Sequence, residues 1–400
     1  MTKKYTEELE RGYSVSTVME EAQRCLLCYD APCSKACPAG TDPAKFIRSV
    51  RFRNFKGAAE TIRVNNVLGA VCARVCPTER YCESGCSRCG IDKPIDIGGI
   101  QRFVTDFEAA CGMKVLEKGA ANGKRIAVIG SGPAGLQAAA TLLQLGYEVE
   151  IFEKADRAGG FLRTIPEYRL PETVVDGEIE RVVALGAVIH CGVDADKAKF
   201  EELKAGYDAV LVATGVRKPM ILDLFQGNPN VVSAVDLLTE IRSKHGEMNV
   251  PASALVLGGG DSAMDAATTL KMLGVKDVIE VTRNEFRASD AEKATAHEMG
   301  VITIGGYTPA AVDGKTVTFK HSRLNSELKI EAELIVVALG QNIDNELGLP
   351  VERNEVVAEG TSVDGKVFVA GDIAKGDKTV VAAVNKGKLA AYEIHNRIGG

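Results

Sequence analysis

The chain has 400 residues, a formal net charge of −6 and 46% hydrophobic residues. This length and composition are typical of a globular protein with two or three domains, and the acidic balance argues against nucleic acid as a partner. No apolar run approaches the ~20 residues that span a bilayer, and nothing at the N-terminus resembles a secretory signal. We therefore expect a cytoplasmic protein with no membrane partner.

Nine of the 11 cysteines lie in the first ninety residues, and eight of them form two groups. The first group is a C-x2-C-x4-C-x3-C-P run, and the second is a C-x3-C-P-x4-C-x3-C run. An iron–sulfur cluster takes about four ligands, mostly Cys thiolates, and ferredoxin runs commonly end in Cys-Pro. Disulfides fit a reducing compartment poorly, and zinc knuckles use shorter gaps. The two groups predict two 4Fe-4S clusters, with ligands drawn from Cys25, Cys28, Cys33, Cys37, Cys72, Cys76, Cys82 and Cys86.

The cysteine-containing region has helical character between the two groups. Apolar residues recur at roughly helical spacing over residues 44–62, directly after Asp42-Pro43, and residues 101–110 show a similar pattern. A polar, small-residue linker at residues 118–123 then marks a domain boundary. We predict a helical iron–sulfur domain over residues 1–118.

A buried strand at residues 125–129 opens the next domain and runs into a glycine loop. The loop is a G-x-G-x-x-G fingerprint made of Gly130, Ser131, Gly132, Pro133, Ala134 and Gly135, and Glu153 ends the next predicted strand. In such loops the glycines permit a tight turn, close approach of the pyrophosphate and close helix packing, and an acidic residue about 20 positions on binds the ribose. This pattern predicts an FAD site that includes Glu153 and the adjacent Lys154.

A second strand and glycine loop follow at residues 254–263, with Gly258, Gly259, Gly260, Asp261, Ser262 and the accepted alanine variant at the third glycine position. The strand after it ends before Arg283 and Asn284. A cation here favours the 2′-phosphate of NADP, so Arg283 and Arg287 fit NADP, whereas Asn284 weakens that case. We favour NAD(H) and keep NADP(H) as the alternative.

Near the C-terminus, a strand at residues 367–369 leads into Gly371 and Asp372, and Thr379 precedes an apolar helix. This turn would bring a carboxylate to the ribityl hydroxyls of a flavin, and the helix N-terminus would favour negative charge on it. Another strand ends at Gly340, which we add to the nucleotide-binding set. The predicted fold is α/β, with a helical iron–sulfur domain followed by two Rossmann-like domains, the second inserted in the first. The predicted segments are residues 124–232 and 341–400 for FAD and residues 233–340 for NAD(P).

This order of domains resembles the flavin/iron–sulfur family shared by glutamate synthase small subunits and dihydropyrimidine dehydrogenases. Residues 24–28, 69–78 and 94–103 are similar to those of bacterial NAD-dependent dihydropyrimidine dehydrogenase, and the resemblance covers essentially the whole chain. It implies one cluster on Cys25, Cys28, Cys33 and Cys86, and another on Cys37, Cys76, Cys82 and Gln101. Spacing alone makes Cys72 a ligand, so the choice between Cys72 and Gln101 stays open. The family also implies FAD contacts from Gly159, Gly160 and Arg169.

The resemblance implies an electron-input subunit that passes electrons between NADH, FAD and both clusters and a partner subunit. The implied partner is an FMN/iron–sulfur barrel subunit that interconverts uracil or thymine and the 5,6-dihydropyrimidines. Flavin links two-electron hydride chemistry to one-electron clusters, so we expect no catalytic acid or base in this chain. Related single-chain enzymes carry the pyrimidine site in a C-terminal barrel, for which we expect no room here. The alternatives are a glutamate synthase small subunit or another diaphorase-type subunit, and, less favoured, a redox-sensing protein.

Overall fold

The structure is a computed structural model that describes residues 4–399. The chain forms two compact units. Among these residues, the larger unit comprises 10–162, 172–216 and 343–399, and the smaller unit comprises 4–9, 163–171 and 217–342. No helix among the described residues is long and apolar enough to cross a membrane.

Six helices make up the first part of the larger unit: α1 (Val15–Gln23), α2 (Pro32–Lys35), α3 (Pro43–Arg51), α4 (Phe55–Arg63), α5 (Gly69–Val75) and α6 (Ile97–Ala110). Asp42 and Asp96 cap α3 and α6 by accepting hydrogen bonds from the backbone of Lys45 and Gly99. Buried residues of α1, α3, α4 and α6, such as Phe46, form their common core. The helices thus hold the cysteine-bearing loops between them.

The helical spacing over residues 44–62 belongs to two separate helices, α3 and α4, and the expectation of one helix there is wrong. Arg53 adopts a left-handed conformation with φ of 56°, which ends the first helix. Asn54 then caps the second by accepting a hydrogen bond from the Gly57 amide at 2.9 Å. The predicted helix over residues 101–110 forms, but it begins earlier, at Ile97.

The rest of the chain contains strands and helices, which alternate over residues 125–212 and again over residues 231–305. The next elements are β1 (Arg125–Ile129), α7 (Pro133–Gln144), β2 (Glu148–Glu153), α8 (Glu172–Ala184), β3 (Val188–Cys191), α9 (Lys197–Gly206) and β4 (Ala209–Val212). The smaller unit then contributes β5 (Lys218–Pro219), β6 (Val231–Ser233), α10 (Ala234–Ser243), β7 (Ser253–Leu257), α11 (Asp261–Met272), β8 (Asp277–Thr282), α12 (Asp290–Glu298), β9 (Ile302–Gly305), β10 (Tyr307–Asp313), β11 (Thr316–His321), β12 (Glu327–Glu331), β13 (Leu334–Val337) and β14 (Gln341–Asn342). The chain ends with β15 (Val351–Glu352), β16 (Glu355–Val356), β17 (Val367–Val369) and α13 (Val380–Ile398).

Each unit contains one five-stranded parallel sheet. The order is β17-β4-β1-β2-β3 in the larger unit and β6-β13-β7-β8-β9 in the smaller one. The strands that precede the two glycine loops are β1 and β7, and each lies where the strand order of its sheet reverses. Open α/β sheets bind ligands at this point. The predicted fold class is therefore confirmed, including a second nucleotide-binding sheet whose strands lie between β4 and β17 in the chain. The predicted domain limits at residues 118, 232 and 340 stay predictions.

Candidate cofactor sites

Four of the cysteines line one small cavity in the helical part of the larger unit. They are Cys25, Cys28, Cys33 and Cys86, and apolar residues such as Ile47 complete the lining. Burial and then the nearby thiol of Cys86 raise the pKa of Cys33 to about 11. Thiols that are reluctant to ionise become thiolates when a metal supplies positive charge. The donor set fits an iron–sulfur cluster, and it is the set that the resemblance implies for the first one.

A second group of thiols lies close together around α5. Burial raises the pKa of Cys76, and the neighbouring thiols of Cys72, Cys82 and Cys37 raise it further. Cys72 and Cys82 are buried. The structure thus places the three predicted cysteine ligands of the second cluster near one another, together with Cys72.

Gln101 lies on α6 against the beginning of α5. Its Nε2 donates a hydrogen bond to the Gly69 carbonyl at 2.8 Å. Cys72 shares α5 with Gly69, and burial raises the pKa of its thiol to about 12. Cys72 belongs to the second group, and Gln101 contacts the helix that carries Cys72, so the identity of the fourth ligand stays a prediction.

The first glycine loop connects β1 to α7 in the larger unit. Gly130 has φ of 102°, and a Cβ there would lie 2.5 Å from the Ala213 carbonyl oxygen, so only glycine fits. A Cβ on Gly132 would instead point into open space. Gly132 also caps α7, where free amides and the helix dipole favour a phosphate. The loop therefore has the form that a dinucleotide pyrophosphate requires.

Glu153 is buried at the end of β2 and holds this loop in place. One of its carboxylate oxygens accepts hydrogen bonds from the backbone amide of Ser131 at 2.9 Å and from the Ser131 hydroxyl at 2.5 Å. The Ser131 oxygen in turn accepts a hydrogen bond from the Gly159 amide at 3.0 Å. Lys154 is on the surface, paired with Asp194 at 2.8 Å. The structure thus gives Glu153 a role in loop geometry that the sequence did not indicate, and its ribose contact stays a prediction.

Asp372 lies in a turn between β17 and α13. Its Oδ1 is buried and has no hydrogen-bond partner among residues 4–399, and burial raises the pKa of the carboxyl group. An unpaired buried carboxylate is costly, so it indicates a donor supplied by a ligand. Thr379 caps α13 by accepting a hydrogen bond from the Ala382 amide at 3.3 Å. The unpaired Asp372 oxygen fits a hydrogen bond from a ribityl hydroxyl of a flavin, and the N-terminus of α13 fits negative charge on the flavin.

The second glycine loop lies between β7 and α11 in the smaller unit. Gly260 caps α11, and the carboxylate of Asp261 accepts a hydrogen bond from the Ser289 amide at 3.0 Å. Ser262 is partly buried, whereas Arg283 and Asn284 are exposed after β8, and Gly340 follows β13 with φ of 107°. The exposed side chains are free to meet an adenosine ribose or its phosphate.

Arg169 has partners that sequence reasoning missed. Its guanidinium donates to both carboxylate oxygens of Asp265, at 2.6 and 2.7 Å, and also pairs with Glu292. Asp265 lies one turn after Asp261 on α11, and no sequence pattern links it to Arg169. The predicted FAD contact of Arg169 stays a prediction.

The fold and these sites define an oxidoreductase that carries an iron–sulfur centre and FAD. Residues 2–113 match the family described as dihydropyrimidine dehydrogenase domain II, 4Fe-4S cluster, and residues 124–387 match the pyridine nucleotide-disulphide oxidoreductase family. The chain is 51% identical to the NAD-dependent dihydropyrimidine dehydrogenase subunit PreT of Escherichia coli K12, over 99% of this chain and 98% of that protein. The chain belongs to this PreT family.

More distant relatives share the same framework. The NADPH glutamate synthase small chain of Azospirillum brasilense is 30% identical over 97% of this chain and 90% of its own length. Among solved structures, the thioredoxin reductase of T. acidophilum has a TM-score of 0.56 at 18% identity, and the match covers 69% of this chain and 100% of that one. The NADPH complex of Mycobacterium tuberculosis FprA has a TM-score of 0.58 at 17% identity, covering 69% of this chain and 84% of its own. These structures support the fold alone.

Proposed function

We propose that this chain is the electron-input subunit of an NAD-dependent dihydropyrimidine dehydrogenase. In this role it links NADH oxidation to a partner subunit that interconverts uracil or thymine and 5,6-dihydropyrimidines. The observation that carries the proposal is the meeting of Cys25, Cys28, Cys33 and Cys86 in one cavity, within the compact unit that also contains the first glycine loop and Asp372. PreT subunits that are 52% and 51% identical over 99% of this chain support the assignment of a dihydropyrimidine dehydrogenase reaction.

In this proposal the larger unit holds three redox groups. Bound flavin exchanges electron pairs with nicotinamide and single electrons with iron–sulfur clusters. The loop from Gly130 to Gly135 binds the pyrophosphate, while Asp372 accepts hydrogen bonds from ribityl hydroxyls. The N-terminus of α13, capped by Thr379, stabilises negative charge next to it. No side chain of this chain needs to exchange a proton with the pyrimidine.

The two clusters take the ligands described above. Cys25, Cys28, Cys33 and Cys86 bind the first 4Fe-4S cluster, and Cys37, Cys76 and Cys82 bind the second with Gln101 as the fourth ligand. Burial raises the pKa of Cys33 and Cys82, so each thiol must lose a proton when it binds a cluster. Cluster loading is therefore coupled to proton release in this proposal.

The second glycine loop binds NAD(H) in this proposal. Asn284 stands where a second cation would favour the 2′-phosphate, although Arg283 could still contact it. A role as a glutamate synthase small subunit is the second candidate, since that relative shares 30% identity over nearly the whole chain. The higher identity to PreT subunits favours the pyrimidine reaction. A cytoplasmic location and a hetero-oligomer with an FMN/iron–sulfur barrel subunit are parts of the same proposal.

A reconstitution assay tests this function. We expect NADH-dependent reduction of uracil only when the purified chain and a barrel subunit of dihydropyrimidine dehydrogenase are both present. The variant Cys86→Ser should abolish this turnover but keep FAD, whereas Cys111→Ser, at an exposed position outside both cysteine groups, should keep it. Glutamate formation with a glutamate synthase large subunit, in the absence of pyrimidine turnover, would contradict the proposal.

A further inference from the structure

Lys388 connects helix α13 to the segment that follows Cys37. Its Nζ donates hydrogen bonds to the Ala39 carbonyl and, at 3.3 Å, to the Asn65 carbonyl. A Cβ on Gly40 would lie 3.6 Å from the same nitrogen. The ammonium group is therefore held against the backbone two residues after a predicted ligand of the second cluster.

The charge on Lys388 has no carboxylate partner among residues 4–399. Its hydrogen bonds go only to carbonyl oxygens, whereas the exposed Lys56 on α4 pairs with Glu60 at 3.8 Å. Burial lowers the pKa of Lys388, and the nearby Cys37 thiol opposes this effect. A half-buried cation with no acid beside it acts more strongly on its surroundings than a surface charge, because water screens it less.

The N-terminal end of the same helix also approaches the second cysteine group. Tyr81, the residue before Cys82, donates a hydrogen bond to Asp377 and lies 3.4 Å from the Thr379 hydroxyl. Thr379 is the cap of α13 at the proposed flavin site. Lys388 thus belongs to the helix that lies between the proposed flavin site and the second cysteine group.

We propose that the positive charge of Lys388 raises the reduction potential of the second cluster. Reduction adds one electron to the cluster and breaks no bond, so the net negative charge there increases. A fixed cation near Cys37 stabilises the more negative state, and net charge is among the factors that set the potential of such clusters. The inference rests on the proposed function, since it assigns a cluster to the Cys37 group.

Potentiometric titration of the cofactor-loaded chain, followed by electron paramagnetic resonance, tests the inference. The signal of the second cluster is identified as the one altered in Cys37→Ser. We expect Lys388→Met to make the reduced-to-oxidised ratio of this cluster about tenfold lower at a given potential, which corresponds to ~59 mV for one electron. The first cluster should keep its potential.

Matched variants separate charge from hydrogen bonding. Lys388→Arg should keep the wild-type potential, and Lys388→Gln, which retains a donor without the charge, should shift as Lys388→Met does. Lys56→Met removes one exposed positive charge and should shift neither cluster. If Lys388→Met loses iron, the comparison of Lys388→Arg with Lys388→Gln decides the question.

An unchanged second-cluster potential in Lys388→Gln would overturn the inference, and so would equal shifts of both clusters. These titrations use a chemical reductant and need neither NADH nor a partner subunit. Failure of the pyrimidine assay alone would therefore leave them interpretable, whereas a wild-type chain without a second cluster would remove the proposed function and this inference together.

Discussion

Arg63 is a fully buried charged residue that connects three helices of the larger unit. Its guanidinium lies 2.7 Å from Glu108 on α6 and 2.6 Å from Glu178 on α8, and Arg181 pairs with Glu108 at 2.8 Å. The side chains of Arg63 and Glu108 have no exposed surface. Because a buried charge is tolerated only when it is paired, each member depends on the others.

We expect Arg63→Met to destabilise the chain by about 3–5 kcal/mol, because it leaves two carboxylates buried without their main cation. Chemical unfolding of the cofactor-loaded protein measures this loss. Lys244→Met is the control, since Lys244 and Glu240 form an exposed pair at the end of α10, and it should cost below about 1 kcal/mol. Equal costs for the two variants would contradict a cooperative buried network.

Glu280 is a different kind of buried charge, because neither of its carboxylate oxygens has a hydrogen-bond partner in the described part of the chain. It lies in β8 with no exposed surface, and burial raises its pKa from 4.5 to about 8. The folded state therefore holds the proton more tightly than the unfolded chain does. Its stability should fall as the pH rises from about 4.5 to 8 and then level off.

We expect Glu280→Gln to remove this pH dependence. Its stability advantage over wild type should grow by roughly 1.4 kcal/mol for each pH unit between about 5 and 8. Melting temperatures of both proteins across this range measure the effect, with Glu298→Gln on the exposed side of α12 as the control. Parallel curves for wild type and Glu280→Gln would show that Glu280 is ionised throughout.

At the scale of elements, the contact between α7 and α13 shapes the proposed flavin site. Gly387 lies in α13, and a Cβ there would come within 2.9 Å of the carbonyl carbon of Ala134. Ala134 belongs to the first glycine loop, so the close approach of the two helices depends on glycine at position 387. The sequence showed the loop but gave no sign of this partner, because the two residues are far apart in the chain.

We expect Gly387→Ala to push α13 away from the loop, to lower FAD content and to destabilise the chain by roughly 1–3 kcal/mol. Flavin absorbance per chain and thermal unfolding measure the two effects. Gly177→Ala in α8 is a matched control, since a Cβ there meets nothing within 4 Å. The control should keep FAD and gain about 0.5–1 kcal/mol from helix propensity. Full FAD content in Gly387→Ala would refute the dependence on this contact.

Local patterns predicted most elements correctly, and the exceptions have physical causes. The strand, glycine loop and helix around Gly130 and Gly258 follow from neighbouring residues, so the sequence predicted them. The break between α3 and α4 depends on a left-handed Arg53 and the Asn54 cap, which apolar periodicity does not indicate. The cavity shared by Cys33 and Cys86 depends on long-range folding, and only the family resemblance predicted that pairing.

In the whole molecule, the proposed electron path requires a cluster on each of the two cysteine groups of one chain. We expect ~8 iron atoms per chain, since two four-iron clusters are proposed. Cys33→Ala should lose about half of this iron, because it removes a ligand of one cluster only, while Cys111→Ala should lose none. Iron and acid-labile sulfide analysis gives the counts, and a wild-type content of about four would contradict the second cluster.

The most direct measurement is an anaerobic titration of the isolated chain with NADH, followed by flavin and iron–sulfur absorbance. We expect NADH to bleach the flavin and then the clusters, with no uracil turnover until a barrel subunit is added. A fully loaded chain whose flavin stays oxidised in NADH but is reduced by NADPH would contradict the NADH-linked function and favour the glutamate synthase alternative.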